Sequence, residues 1–158
     1  MDASIRAQIL KLLDEHRIMS LATLRPDGWP QATTVGYVNE GLTLYFLCGK
    51  ESQKANNLAR DSRVSLTIDR DTSDPLGIRG LSMAARATMV PDQVQIKQAI
   101  RAMLPKKYPE YGSMMETEDL SSVVVFKVAP EVISVLDYSK GFGHCELVTV
   151  EPAERAAA

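Results

Sequence analysis

Two cysteines in 158 residues, Cys48 and Cys145, offer no paired spacing for a disulfide framework or a zinc site. They are expected as free thiols in a reducing compartment. Phe, Trp and Tyr make up only 6% of the chain, and no stretch interleaves them with basic residues as a single-stranded nucleic-acid platform would. Charge of one sign is also scarce: 18 Lys and Arg against 20 Asp and Glu leave −2, too little to draw nucleic acid or anionic lipid from a distance. No apolar run approaches the roughly 18–20 residues of a membrane span. Near the N-terminus, Arg6, Lys11, Asp14, Glu15 and Arg17 interrupt what a signal-peptide core would need. The chain therefore reads as soluble and cytoplasmic, with neither nucleic acid nor membrane as a partner. GxGxxG and GxxxxGKS/T fingerprints are missing, and Gly49-Lys50-Glu51-Ser52 lacks the upstream glycine of a P-loop. His16 and His144 have no companions at metal spacing, and no nucleophile motif supports a hydrolytic triad.

What is present is one domain, residues 1–158, with 151–158 expected to fray. Asp2 or Ser4 can cap a first helix over residues 2–16, with Ile5, Ile9, Leu12 and Leu13 on one face and His16 near its end. Ile18–Leu24 reads as a strand, turned by Arg25-Pro26-Asp27-Gly28 into a returning strand over Gln31–Val38. Asn39-Glu40-Gly41 then forms a hairpin loop into a third strand, which predicts a meander. Ala32, Thr34 and Gly36 share one face of the middle strand. Their small side chains leave a shallow place for a flat ring, or for close packing against another strand or the first helix.

Further on, Ile78–Val90 alternates as one long strand, or as two joined near Gly80. A helix follows from Pro91 to Leu104, with Val94, Ala99, Ile100, Met103 and Leu104 as its apolar face. Pro105 and Pro109 argue against one continuous helix over Pro105–Leu120, which is expected as a surface excursion in preference to a lid. Ser121–Ala129 and Val132–Asp137 read as two strands around Pro130-Glu131. Lys140–His144 reads as a tight loop, and Leu147–Val150 as a short last strand. Six or seven antiparallel strands with few helices make the fold mainly β, a barrel or sandwich with helical decoration.

The most informative stretch is Leu42–Ile68: a strand, a polar loop, a helix and a second strand in which Val64, Leu66 and Ile68 face one way. Ser52 is placed to cap the helix, which ends near Arg60-Asp61. Lys54 then falls in the first turn, where the helix dipole disfavours a cation by about 0.3–1 kcal/mol. Ala55 stands where a capping box would carry Glu or Gln. A bound anion would answer both anomalies. The plainer alternative is a solvated lysine on an ordinary helix.

Gly49, Ser52-Gln53-Lys54, Asn57-Leu58 and Asp61-Ser62-Arg63-Val64, preceded by ATLRPDGWPQATTVGYV, resemble the FMN-binding split-barrel family typified by pyridoxamine 5′-phosphate oxidase. The order of elements matches over residues 5–137 and the motifs over 18–68. The resemblance implies a six-stranded antiparallel split barrel, a homodimer with flavin at its interface, and FMN-dependent oxidoreductase chemistry on a small molecule. It assigns the cofactor phosphate to Ser52, Gln53 and Lys54. The isoalloxazine wall falls to Thr33, Thr34, Val35 and Gly36, continued by Leu47, Cys48, Gly49 and Lys50. Residues around Ser82–Arg86 and Phe142–His144 are candidates for closing the site from a partner subunit. The C-terminal EPAERAAA lacks the arginine- and histidine-containing motif of authentic pyridoxamine phosphate oxidases, so that activity is not expected. Deazaflavin F420 is the alternative cofactor, haem with His144 a weaker one, and a non-catalytic FMN-binding or stress-related role the alternative function.

Overall fold

The computed structural model describes residues 1–111 and 120–156. Helix α1 (Ala3–Glu15) begins at Asp2, whose carboxylate accepts the N–H groups of Ser4 and Ile5, and buries Ile9, Leu12 and Leu13. Each such side chain contributes about 1.5–3 kcal/mol by leaving water. Strands β1 (Ile18–Leu24) and β2 (Pro30–Gly36) form the predicted hairpin, with Gly28 at φ 85° in its turn. The short β3 (Val38–Glu40) pairs with β4 (Thr43–Gly49). Helix α2 (Gln53–Arg60) leads into β5 (Arg63–Asp69), whose alternate residues are buried as its sequence pattern requires. Strand β6 (Arg79–Met89), α3 (Gln93–Lys107), β7 (Val123–Asp137), β8 (Cys145–Thr149) and the short α4 (Pro152–Ala156) complete the chain.

All strand pairs are antiparallel, in the order β2-β1-β5-β6-β7-β4-β3, with β8 added to the far part of β7. The sheet curls until β2 lies against β4, so six longer strands enclose one core and β3 and β8 are accessory. The fold is a split barrel, mainly β with helical decoration. Phe46 and Phe126 face each other across β4 and β7, stacked with centroids 5.5 Å apart, at the centre of the apolar interior. No helix among the described residues is long and apolar enough to cross a membrane.

Where the β1–β2 ladder ends, the side chain of Tyr108 joins the end of α3 to the barrel. Tyr37, between β2 and β3, donates its N–H to Arg17 O at 3.2 Å and to the Tyr108 hydroxyl at 3.0 Å. That hydroxyl in turn bonds the carbonyls of Arg17 and, at 3.1 Å, Tyr37. A Cβ on Gly36 would stand 2.9 Å from the same oxygen, so glycine is what lets Tyr108 approach. Lys107 reinforces the seam, donating to Leu13 O and Asn39 Oδ1 with its ammonium 3.7 Å from the centre of the Tyr37 ring.

Several expectations are corrected. The meander stops at Tyr37: the third strand is β4, which crosses the barrel to pair with β3 and β7 instead of β2. Asn39 and Glu40 belong to β3, leaving Gly41, at φ 57°, to make the turn. Of the two alternatives for the stretch after residue 78, the single long strand is the one found, Arg79–Met89, without a break at Gly80. That glycine is required because a Cβ there would lie 2.8 Å from Ile68 O. The two strands expected around Pro130 are one, with the register shift opposite Ala84 and Ala85 absorbing Glu131. Proline is tolerated in a central strand at such a bulge. Helix α3 runs through Pro105 to Lys107, because burial of Ile100 and Leu104 outweighs one lost N–H; Val94, expected on its apolar face, is exposed. Tyr108 is buried and not part of a surface excursion, while 112–119 of that region lie outside the described residues. Residues 152–156 form a helix whose Glu154 holds the N-terminal ammonium at 2.8 Å, where fraying was expected.

Two outcomes follow from these contacts. Tyr108→Phe keeps the ring and removes the bridging hydroxyl, so urea denaturation should find it about 1 kcal/mol less stable. Asp61, which ends α2, is held down to about 2 by hydrogen bonds from the Arg63 guanidinium and backbone, against an ordinary 3.8. A folded value below the unfolded one means this contribution is full above about pH 4 and lost as pH falls towards 2. In Arg63→Ala, the Asp61 carboxyl carbon should titrate in NMR closer to 3.8; an unmoved midpoint would separate the two groups.

Candidate functional site

Helix α2 is seated on the barrel by polar contacts. Asn57, fully buried, donates from Nδ2 to Thr23 Oγ1 on β1 at 2.9 Å and to Gln31 Oε1 on β2 at 3.3 Å. Its Oδ1 accepts Gln53 Nε2–H at 2.8 Å. A satisfied buried network of this kind fixes orientation, because any other placement leaves polar groups unpaired. The helix start is therefore held in one position relative to β1 and β2.

That start is capped as the sequence predicts: Ser52 Oγ accepts the Ala55 N–H at 3.2 Å, and no acidic residue lies in the first turn. Lys50 N–H is used by Ser122 O at 3.0 Å and Ser52 N–H by Gly49 O at 3.1 Å. The Gln53 and Lys54 N–H groups are the first-turn donors left without an acceptor by helix geometry. Lys54 is half-buried, its ammonium 6.0 Å from the centre of the Phe46 ring, and it makes no ion pair among the described residues. Burial pulls its pKa below the ordinary lysine value, and the neighbouring Cys48 opposes that shift.

The remaining expected residues divide between two faces. On β2, Thr33 and Val35 turn inward while Thr34 and Gly36, with Ala32, turn outward, as the small-residue pattern anticipates. On β4, Cys48 packs inward beside Val35 and Phe46, whereas Leu47 faces α3. Gly49, the last residue of β4, and Lys50, in the turn before α2, are exposed. Gly36 and Leu47 meet at the edge of a cavity of about 250 Å³ beneath α3. Thr33 Oγ1 is buried without a hydrogen-bond partner among the described residues, which costs about 1–3 kcal/mol unless something bonds it. The first-turn amides and the ammonium are donors in want of an acceptor, and an oxygen-rich anion fits such a set.

Other sequence candidates lie elsewhere. His144 sits in the β7–β8 loop, its Nε2 3.3 Å from Glu146 Oε1, which also accepts Lys140 at 2.6 Å. Strand β8 joins β7 at Val132–Leu136 and β4 joins it at Val123–Val128, so the two regions occupy different parts of one strand. Cys48 and Cys145 are free thiols. No group of three or more His, Cys, Asp or Glu among the described residues could hold a metal ion. Sequence reasoning missed Tyr108 and the bracing role of Asn57. A buried asparagine on an otherwise apolar helix face signalled the latter, and nothing local signalled the former.

The family model for pyridoxamine 5′-phosphate oxidase matches residues 5–137. General stress protein 26 of Bacillus subtilis is 23% identical over 133 residues, 84% of this chain and 89% of that protein. A crystal structure from Listeria innocua, carrying the provisional name of a pyridoxamine 5′-phosphate oxidase, is 29% identical with a TM-score of 0.70, over 84% of this chain and 98% of that one. The fold recurs in a FAD-binding protein of Mesorhizobium loti (21% identity, TM-score 0.63, 84% of this chain and 92% of that one). It recurs also in a haem-binding protein of Mycobacterium smegmatis (23%, TM-score 0.71, 94% of this chain and 58% of that one). With the matched segment spanning most of its length, and with a split barrel as its fold, the chain belongs to the pyridoxamine 5′-phosphate oxidase family.

Proposed function

We propose that this chain binds FMN and acts as a flavin-dependent oxidoreductase on a small molecule. The observation that carries the reading is the start of α2: a capped helix with free first-turn amides and an unpaired, half-buried Lys54 in place of a carboxylate. The phosphate would take the Gln53 and Lys54 N–H groups, the Ser52 hydroxyl proton and the Lys54 ammonium. Thr34 and Leu47 would offer side-chain surface to the ring and Gly36 its backbone, and the segment from Cys48 to Lys50 would continue the wall between ring and phosphate. When bound, the flavin supplies the electron transfer, and the protein's part is to hold, orient and shield it. The FAD-binding Mesorhizobium loti protein and the haem-binding Mycobacterium smegmatis protein are both likenesses of fold alone, so the cofactor reading rests on the α2 site and not on either of them.

A flavin laid on the outward side of β2 needs a second surface to exclude water. Phe142 and Leu147 are 82% and 73% exposed, large apolar side chains of the kind that a partner subunit covers. We therefore expect a homodimer, with the Phe142–His144 loop and the outward residues of β6 from Ser82 to Arg86 as candidate closing elements. Sedimentation equilibrium of FMN-saturated protein should give twice the chain mass; a saturated monomer would rule this arrangement out.

Lys54 tests the phosphate assignment directly. Lys54→Ala removes a charge-assisted contact of about 1.5–3 kcal/mol, so FMN should bind roughly ten- to a hundredfold more weakly. Riboflavin, which lacks the phosphate, should bind wild type and variant nearly alike, and the fold should persist because alanine is a good helix former. Fluorescence titration of both ligands on both proteins makes the measurement. Unchanged FMN affinity would place the phosphate elsewhere. The mass of the cofactor released from purified protein separates FMN from a deazaflavin, and turnover with NADH or NADPH separates an enzyme from a flavin carrier.

A further inference from the structure

The cavity under α3 is built differently from the donor-rich start of α2. About 250 Å³ in volume, it begins at Gly36 and Leu47 and runs on between Val38, Tyr45, Ile100 and Leu104. Tyr108 and Tyr111 also border it, and none of its lining side chains is an acid, a base or a histidine. The Tyr37 and Tyr108 hydroxyls are already committed to backbone groups, Tyr37 to Leu13 O and Tyr108 to the seam. The Tyr45 and Tyr111 hydroxyls have no hydrogen-bond partner among the described residues. Among the described residues they are the two uncommitted hydroxyls of the lining.

From this lining we infer that the cavity is a binding site for a neutral, planar ligand of one or two rings, carrying a carbonyl or hydroxyl oxygen that Tyr45 or Tyr111 bonds. The volume sets the size. A dry apolar cavity of about 150 Å³ holds benzene, so 250 Å³ suits a fused pair of rings. The charge follows from the walls: the lining itself carries no cation, and the two beside it are already engaged, Lys107 with Leu13 O and Asn39 Oδ1 and Arg17 with Glu110, so a phosphate or carboxylate here would be desolvated without a free partner. Apolar walls with a few placed polar groups are the ordinary composition of a small-molecule site. The role rests on the FMN reading. Because Gly36 and Leu47 belong both to the proposed flavin wall and to this cavity, a ring bound here lies beside the isoalloxazine, as the substrate of that centre would. The phosphorylated pyridoxine compounds for which the family is named do not match this lining.

Two probes of similar ring size separate the possibilities: 1-tetralone, a neutral bicyclic ketone, and 1-naphthyl phosphate, a bicyclic anion. Each is titrated by calorimetry into FMN-loaded and FMN-free protein, with Leu104→Trp filling the cavity and Tyr45→Phe and Tyr111→Phe removing its hydroxyls. Circular dichroism melts establish that each variant is folded. We expect 1-tetralone to bind at least roughly tenfold more tightly than 1-naphthyl phosphate. Leu104→Trp should weaken it by a similar factor while leaving FMN affinity unchanged. One of the two hydroxyl variants should weaken it roughly threefold or more, and this arm decides the matter should Leu104→Trp fail to fold. Equal binding of the two probes, or 1-tetralone affinity indifferent to all folded variants, overturns the inference. Failure of the cofactor reading looks different: FMN does not bind, while 1-tetralone still distinguishes wild type from the cavity variants.

Discussion

The Tyr108 hydroxyl ties the end of α3 to the point where the β1–β2 ladder ends. It meets the backbone at Arg17, just after α1, and at Tyr37, between β2 and β3, and it arrives from the end of α3. A curled sheet that closes without a continuous ladder leaves unpaired peptide groups at its seam, and each must find a partner when buried. Here one phenol serves as both acceptor and donor. Its position also fixes how closely α3 lies over β3 and β4, and so the dimensions of the cavity between them. Gly36 is required in that arrangement by packing alone, whatever else it borders.

Around this seam the molecule separates two chemistries along β2 and β4. Because side chains alternate across a strand, Thr33 and Val35 turn one way and Thr34 and Gly36 the other. On one side lie the orphaned hydroxyl, the thiol of Cys48 and the ammonium of Lys54; on the other lie Leu47 and the apolar residues of α3. An elongated molecule with a charged end and a flat apolar end suits such a division better than a compact ion would. The buried Asn57 network makes the charged end rigid, so the first-turn donors stand ready before any ligand arrives.

What could be read from sequence was what local chemistry decides. Ser52 is a cap because its oxygen reaches an amide three residues on, and β5 is a strand because every second residue is apolar. The stretch from β4 to β5 was therefore legible almost residue by residue, whereas the residues left barrel and sandwich open and the family resemblance supplied the split barrel. Long-range partners were not. Tyr108 acts on residues 71 and 91 positions away, and nothing near it distinguishes it from a surface tyrosine. Proline misled twice for one reason. Pro105 and Pro130 break regular structure only where the lost N–H is not outweighed, and burial on α3 and a bulge in β7 accommodate them. The meander was misjudged because hairpin signals say that a chain turns, not which strand it then meets.

Strand β7 carries a consequence for how the molecule comes into being. Its fifteen residues pair with β6, with β4 and with β8, bridging the two halves of the barrel. As the chain leaves the ribosome, β4 is made early but has only three-residue β3 beside it until residues 123–128 emerge, about 75 positions later. Over that interval Leu44 and Phe46 have no lid and the edge of β4 has no neighbour, the state in which strands associate wrongly. The loop to be closed is long, and its entropy must be met before the pairing returns anything. Barrel closure is thus a late event in synthesis, and the nascent chain is most in need of a chaperone just before it.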